Sequence, residues 1–441
     1  MLLNALNVMG NCRFLRQKKQ VLVNGEWVDT RSFRYLPLCD ESHSIVSIRG
    51  GLTNHIYNVG LVGGENAQIE TSNTGSGSIE IAPTAIISGV ADSDTGFDRP
   101  ITDAVQLYNC KIKELQYTRT KKLKLYCSIL IDKPNEKSGF FEGSTFSEIY
   151  LEPSAISNLT SMYEMFMYCD KLESLDANNW DTSNITTMER MFVTCAILKA
   201  IDAKDWNTSN VTNMAGMFLY CYKLESLDVS NWDVSKCLYM SRMFEGCSSL
   251  QAIDVSNWDV SNCLNLFSIF EGCSKLQAID TSKWNTSNCL SMNSMFKGCS
   301  SLKSLDVTNF TIAKGCDIMS MFKDCSSLKS LNVTGLNITN ADKNLGHMFD
   351  GCSSLVSLDL SSWNTSDIIK MYYMFRYCSS LVSLDLSGWD TSKVDDMDGI
   401  FEGCSSLKTI YMRGCNQTTI DYIKHYLRSA GISSKVTIIT N

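Results

Sequence analysis

Ten phenylalanines recur along this 441-residue chain at a fixed interval. Phe166, Phe192, Phe218, Phe244, Phe270, Phe296, Phe322, Phe349, Phe375 and Phe401 lie 26 residues apart, with one step of 27 between Phe322 and Phe349. A period of about 20 to 50 residues marks a solenoid, because a single unit cannot bury its apolar face and must stack on its neighbours. That constraint governs more than half of the chain. It also weighs against catalysis, since stacked units offer long surfaces more readily than closed pockets.

With Phe as position zero, the unit at 214–240 carries Met214 at minus four, Met217 at minus one, Cys221 at plus three, Leu224 at plus six, Leu227 at plus nine and Trp232 at plus fourteen. Met214, Met217 and Phe218 at i, i+3 and i+4 predict one face of a helical turn. Leu227, Asp228 and Val229 alternate as a half-buried strand does. Each unit is therefore expected to hold one short helix and one short strand. Polar runs such as 207–210 and 390–392 supply turn chemistry and are expected to cap the next helix. The strands should form one parallel sheet along a flank, with neighbours about 4.8 Å apart.

The phase extends beyond the clean repeats. Phe140 sits 26 residues before Phe166, with Phe146, Ile149 and Leu151 in the following apolar columns, Gly143 in place of Cys and Ser154 in place of Trp. This predicts a degenerate first rung. Ahead of it, residues 121–126 alternate charge with apolar character and predict a strand that caps the open end of the core. At the far end the pattern stops after Ile410, and 419–431 predicts an amphipathic helix ending at Gly431, followed by a strand around 436–439.

The recurring text of residues 374–392, with Met, Phe, Cys, Leu, Asp and Trp columns in phase, resembles the BspA-type leucine-rich repeat of bacterial surface proteins. The resemblance covers roughly residues 140 to 411. Related repeats occur in adhesins, in mycoplasma and protozoan surface proteins, and in structural proteins of phages of gut bacteria, so the resemblance implies display and adhesion. The expected fold is an α/β solenoid, a leucine-rich-repeat-like stack of 26-residue strand and short-helix units. Its expected divisions are a β-rich attachment module (1–110), capping strands (111–139), the solenoid (140–411) and a helix-strand C-terminal cap (412–441).

Ten of the nineteen cysteines occupy the plus-three column, and no Cys-x-x-Cys spacing occurs. The usual zinc and redox spacings are thus missing. Cys237, Cys263 and Cys289 fill a column held by Ile185, Val211, Ile368 and Val394 elsewhere, so both columns are expected to be buried, reduced thiols used as small apolar side chains. The tryptophan column is interrupted by Phe310 and Leu336. That favours packing over a carbohydrate-stacking platform.

Asp176, Asp202, Asp228, Asp254, Asp280, Asp306, Asp359 and Asp385 form an outward acidic column, with Asn332 as its exception. Like charges on neighbouring strands repel. Two readings remain open: hydrogen bonding to the adjacent turn residues Ser230, Ser256 and Ser361, or a strip that binds a cation, ligand or partner.

The first 139 residues show no period. Residues 21–28 predict a hairpin turning at Asn24 and Gly25, and 59–95 predict further β-structure. Arg13, Arg16, Lys18, Lys19, Arg31 and Arg34 cluster there, although the whole chain carries a net charge of −8. They form either a solvated positive face or a docking surface for an acidic partner. Residues 1–10 are too short and interrupted for a signal-peptide core, and no stretch approaches a membrane-spanning length.

His43, His55, His347 and His425 are scattered, and no phosphate loop or nucleophile elbow is present. No enzyme activity, cofactor or metal is expected, and the acidic solenoid disfavours nucleic acid. The expected function is that of a phage virion structural protein of tail, baseplate or head. It would assemble in the host cytoplasm, contact other virion proteins through the N-terminal module and meet a host glycan or protein through the solenoid. The alternative is a bacterial cell-surface adhesin. A symmetric homo-oligomer suits either.

Overall fold

A computed structural model describes residues 159–441 throughout, with residues 139, 141–143, 147–151 and 156–157 and a series of strands between residues 14 and 129. The chain divides into two compact units, Met1–Asn207 and Thr208–Asn441.

In the first unit, Gln20–Val23 and Glu26–Asp29 pair antiparallel with Val23 opposite Glu26, which leaves Asn24 and Gly25 as the turn. Phe14–Leu15 pairs with Gln20–Val23, also antiparallel, and the strands of the other two sheets of this unit pair parallel. One sheet joins Ile45–Arg49, Gln68–Ser72 and Val90–Ala91. Another runs in the order Leu36–Pro37, His55–Gly60, Gly77–Ser88, Val105–Glu114, Lys122–Ile129, Glu148–Leu151, Ser174–Asp176. Lys122–Ile129 is therefore not an end cap: Leu123 pairs with Val105 on one side and Ile149 on the other. Alternating polarity reports that one face is buried and says nothing about whether an edge is free. The parallel order passes residues 110 and 139 unbroken.

The ring column of this unit begins one residue later than the period predicts. Phe141, rather than Phe140, stacks on Phe166 at 5.0 Å and 9°, and Phe166 on Phe192 at 5.2 Å. Phe140, Phe146 and Ser154 lie outside the described residues.

The second unit is a regular stack of coils. Rings of successive coils lie nearly parallel, as in Phe218–Phe244 at 5.7 Å, Phe296–Phe322 at 6.2 Å and Phe375–Phe401 at 6.0 Å. Near its end, Ser357–Asp359, Ser383–Asp385, Thr409–Tyr411 and Thr437–Ile439 form a parallel ladder with Leu358, Leu384, Ile410 and Ile438 in register. A second line of parallel bridges runs along the minus-five column, from Asn213 through Tyr239, Asn265 and Ser291 to Asp317.

The short helix expected in each unit does not form. Met214, Gly216, Phe218 and Tyr220 each donate their N–H to a carbonyl of the next coil at 2.8–2.9 Å, while Met217, Leu219 and Cys221 donate three residues back. Gly216 and Tyr220 have positive φ, 62° and 61°. The segment is a run of tight turns whose alternate N–H groups point along the stack. The reason is spatial: helices pack about 8–10 Å apart, and coils whose rings are 5–6 Å apart cannot each hold one. The buried face survives, because Met214, Met217 and Phe218 are all fully buried.

The polar runs likewise cap turns rather than helices. Ser392 N–H donates to Asp390 Oδ1 at 2.9 Å, and Thr208 Oγ1 donates to the Asp233 carbonyl of the next coil at 2.9 Å. Asn337 still bridges Thr311 and, past a 3-10 turn at Ile338–Asn340, Ala341 bridges Cys316, so the extra residue of the 27-residue step falls after Ala341 and before Gly346, whose carbonyl accepts the Ser320 N–H.

Cysteines serve the same economy of space. Cys247, Cys273, Cys299 and Cys325 each donate Sγ–H to the preceding coil's Phe carbonyl at 3.2 Å. All fifteen described cysteines are free, and fourteen are buried. Burial raises the thiols of Cys247 and Cys299 well above their ordinary range and pushes Cys237 up to about 12.

The C-terminal helix is Gln417–Ser429, two residues longer at its start than the pattern from Thr419. Asn416 caps it by accepting the Thr419 N–H at 2.8 Å. Ile420, Ile423 and Leu427 face inward, and Gly431 follows at φ 71°.

Candidate interaction surface

The tryptophans belong to the interior. Trp258, Trp284, Trp363 and Trp389 are at most 2% exposed. Each indole N–H donates at 3.2 Å to a carbonyl of the preceding coil, Val229, Val255, Val333 and Leu360 respectively. Stacking and the N–H bond together account for the column.

The aspartates point outward. Asp176, Asp202, Asp228, Asp254, Asp280, Asp306 and Asp359 are exposed and Asp385 is half-buried. Oδ1 of Asp228, Asp254, Asp280 and Asp359 accepts both the N–H and the hydroxyl of the serine two residues on, at 2.6–3.1 Å. Thr308 does the same for Asp306 and Thr334 for Asn332. Asp385 accepts from Ser387 N–H and Asp176 from Asn178 N–H. Hydroxyl and backbone donors hold the carboxyls of Asp280 and Asp306 below their ordinary range. That asparagine fits the column without loss of the turn follows from this geometry, since only one acceptor oxygen is used. Among the described residues no three carboxylate, imidazole or thiol groups converge as metal ligands would. Arg13, Arg16, Lys18, Lys19, Arg31 and Arg34 lie outside the described residues.

A different face carries the chemistry that distinguishes one coil from another. The Met, Phe, Cys and Leu columns barely change between repeats, and the Asp column changes once. The positions flanking Phe change at five of seven steps in each column: at plus one the second unit reads Leu219, Glu245, Glu271, Lys297, Lys323, Asp350, Arg376 and Glu402, and at minus two Gly216, Arg242, Ser268, Ser294, Ser320, His347, Tyr373 and Gly399. The turn conformation explains why they lie together. With every second N–H aimed at the next coil, Met217 and Phe218 turn inward, while the flanking positions are exposed in some coils, as Arg242 and Glu402 are, and packed between coils in others, as Ser268, Ser294, Ser320, Glu245 and Asp350 are.

Side chains of this face pair across coils. Lys297 Nζ reaches Glu271 Oε1 at 2.7 Å, and Tyr220 Oη donates to Glu245 Oε1 at 3.0 Å. Asp350 is the hub, with a side chain 1% exposed. It accepts Arg376 Nε at 3.0 Å and Nη2 at 2.8 Å, the Lys323 ammonium, and a bond from His347 Nδ1 at 2.8 Å. Burial alone would raise this carboxyl, but the bonds from Arg376, Lys323 and His347 outweigh it and hold it below the usual carboxylate range. Arg376 also lies 4.3 Å over the Tyr373 ring, and His347 stacks on Tyr373 at 5.2 Å.

None of this face was singled out from the sequence, where regularity draws attention to constant columns. The signal that could have found it is the reverse one, variation confined to particular columns of an otherwise uniform repeat.

The family described as "Mycoplasma protein of unknown function, DUF285" matches the chain at residues 160–277, 239–356 and 332–430, which together reach across more than half of its length. No curated protein matches it in sequence. Among solved structures, a crystal structure of a TLR13–ssRNA13 complex is 11% identical over 92% of this chain and 73% of that chain, with a TM-score of 0.25. A crystal structure of a mouse RP105/MD-1 complex is 14% identical over 91% of this chain and 71% of that chain, also at 0.25. Scores that low bear on neither fold nor partner. Among the described residues no helix is long and apolar enough to cross a membrane.

Proposed function

We infer that this chain, which belongs to the family described as "Mycoplasma protein of unknown function, DUF285", is a non-enzymatic display protein whose stacked coils offer a binding surface to a macromolecular partner. The observation that carries this reading is that the buried columns stay nearly constant while the turn face, like other exposed positions of the repeat, changes from coil to coil. Packing explains each constant column, whereas the cross-coil pairs Glu271–Lys297 and Asp350–Arg376 form at particular steps only, so the coil stack as such does not dictate the residues of that face. A repeat that holds its core constant while changing one face is built to vary what that face contacts. Tyrosine and arginine are also the residue types that most often anchor partners.

The setting follows from the BspA-type leucine-rich-repeat resemblance. In one reading the chain is a virion structural protein, held by its N-terminal region among other phage proteins, with the coils turned outward to the host. A second reading, a cell-surface adhesin of the bacterium itself, is favoured by the family's description as Mycoplasma proteins. Immunogold microscopy with antibodies to the coil stack separates them. Gold on the outside of phage particles supports the first reading and gold on the outer face of cells supports the second. Label confined to the cell interior would overturn display itself.

A further inference from the structure

We propose that the turn face of the second unit binds neutral saccharides, with Tyr377 and Tyr222 as its stacking residues; this rests on the display reading above and adds a ligand class to it. Tyr220 and Tyr377 occupy the same column six coils apart and are seated alike. In each case the Cδ1–Cε1 edge of the ring fills the space that a Cβ would need on the glycine of the next coil, Gly246 or Gly403. Both glycines have positive φ, 76° and 72°. Each phenol is tethered to the glutamate preceding that glycine, Tyr220 to Glu245 at 3.0 Å and Tyr377 to Glu402 at 3.1 Å. A ring fixed at its edge and at its hydroxyl loses little freedom when a ligand arrives.

Of the two tethered rings Tyr377 is itself exposed, whereas Tyr220 is the backing on which the exposed Tyr222 lies. Tyr377 is 51% exposed, and Tyr222, which stacks on Tyr220 at 5.8 Å, is 44% exposed. In the second unit these are the two most exposed tyrosines, Tyr222 backed by the Tyr220 ring and Tyr377 by a cation, Arg376, 5.3 Å from its ring centre.

The charge around the shelf selects the class of ligand. Lys323 and Arg376 face Asp324, Asp350 and Glu402, two positive charges against three negative, and Asp350 already pairs with both cations. An internally paired cluster with a residual charge of only −1 repels a polyanion and has little pull on a polycation. What it retains is hydrogen-bonding capacity, in further guanidinium N–H groups of Arg376 and the second oxygen of Glu402. A pyranose ring matches both features, with a C–H face for the electron-rich tyrosine ring and hydroxyls for the flanking donors and acceptors. Few contacts on an exposed shelf give weak single-site binding, and two shelves on one rigid stack raise it through multivalency.

The test uses the full-length protein, applied to an immobilised panel of neutral gluco-, manno-, galacto- and N-acetylglucosamine oligosaccharides, with heparin as a polyanion and unfolded casein as a peptide. Retention on at least one neutral oligosaccharide is expected. It should fall at least tenfold in Tyr377→Ala and in Tyr222→Ala, and return in Tyr377→Trp, which restores a stacking ring. Circular dichroism should be unchanged in each. Retention on heparin or casein alone, retention on nothing, or neutral-sugar retention indifferent to both alanine variants would overturn the proposal. Surface labelling by immunogold is independent of these outcomes, so the ligand can fail while the display reading stands.

Discussion

Asp350→Ala should loosen the second unit locally and by a measurable amount. The side chain is 1% exposed, whereas Lys323, His347 and Arg376 are 19%, 23% and 25% exposed. Removing one partner of a buried ion pair costs about 3–5 kcal/mol when the other charge is stranded. Here the stranded cations sit near the rim and can reach water by changing rotamer, so a cost below that range applies, about 2–3 kcal/mol. A stack of coils need not unfold in one step, and native-state hydrogen exchange is the suitable assay because it reads each coil. The N–H groups of Asp324 and Gly351, bonded to the carbonyls of Asp350 and Arg376, should lose protection by that amount. Those of Gly246 and Gly272 should keep theirs. The pH dependence has a fixed sign. A carboxyl whose folded value lies below its unfolded one of about 3.9 contributes stability above that pH and loses it as pH falls through the folded value. The gap between wild type and Asp350→Asn should therefore close in acid. A loss under about 0.5 kcal/mol, or one spread evenly over all coils, would refute the local hub reasoning.

Three further outcomes follow. Trp258→Ala, which removes a buried ring with neighbours at 6.4 Å and 6.2 Å, should cost about 3–5 kcal/mol by denaturant titration, and Trp389→Ala near the end of the stack should cost less; equal losses would count against nearest-neighbour stacking. In the native protein at pH 8, iodoacetamide should label Cys415, which is only partly buried, before any described cysteine of the plus-three column; rapid labelling of Cys247 or Cys299 would contradict their burial-raised thiols. Calorimetry with calcium should give no heat with wild type or with the double variant Asp228→Ala/Asp254→Ala, since each Oδ1 already serves its own turn; heat in wild type that vanishes in the variant would establish the acidic column as a cation strip.

Much of the architecture was legible because the repeat writes each buried contact ten times. The Phe, Met, Cys and Leu columns named the interior correctly, and Asn24 with Gly25 named a hairpin turn. The helix failed for a reason that single-unit periodicity cannot see. Met214, Met217 and Phe218 share a face in a helix, and they also share one in successive tight turns; only the spacing between coils decides between the two. At the first rung Ile149 and Leu151 are buried as the period has them, and the ring stacked on Phe166 is Phe141, the neighbour of the residue that the period names. The turn face was hidden by its own irregularity, since Asp350 and Arg376 look unremarkable until cross-coil stacking brings residues 26 apart into a hydrogen bond.

The most direct test of display is hydroxyl-radical footprinting of the full-length protein, alone and in place on the particle or cell that carries it. Tyr222, Tyr239 and Tyr377, exposed at 44%, 43% and 51%, should be oxidised to the same extent in both states, because the coil stack faces outward. Protection of these three tyrosines in place would contradict the account, since the coil stack would then be the part buried in the assembly.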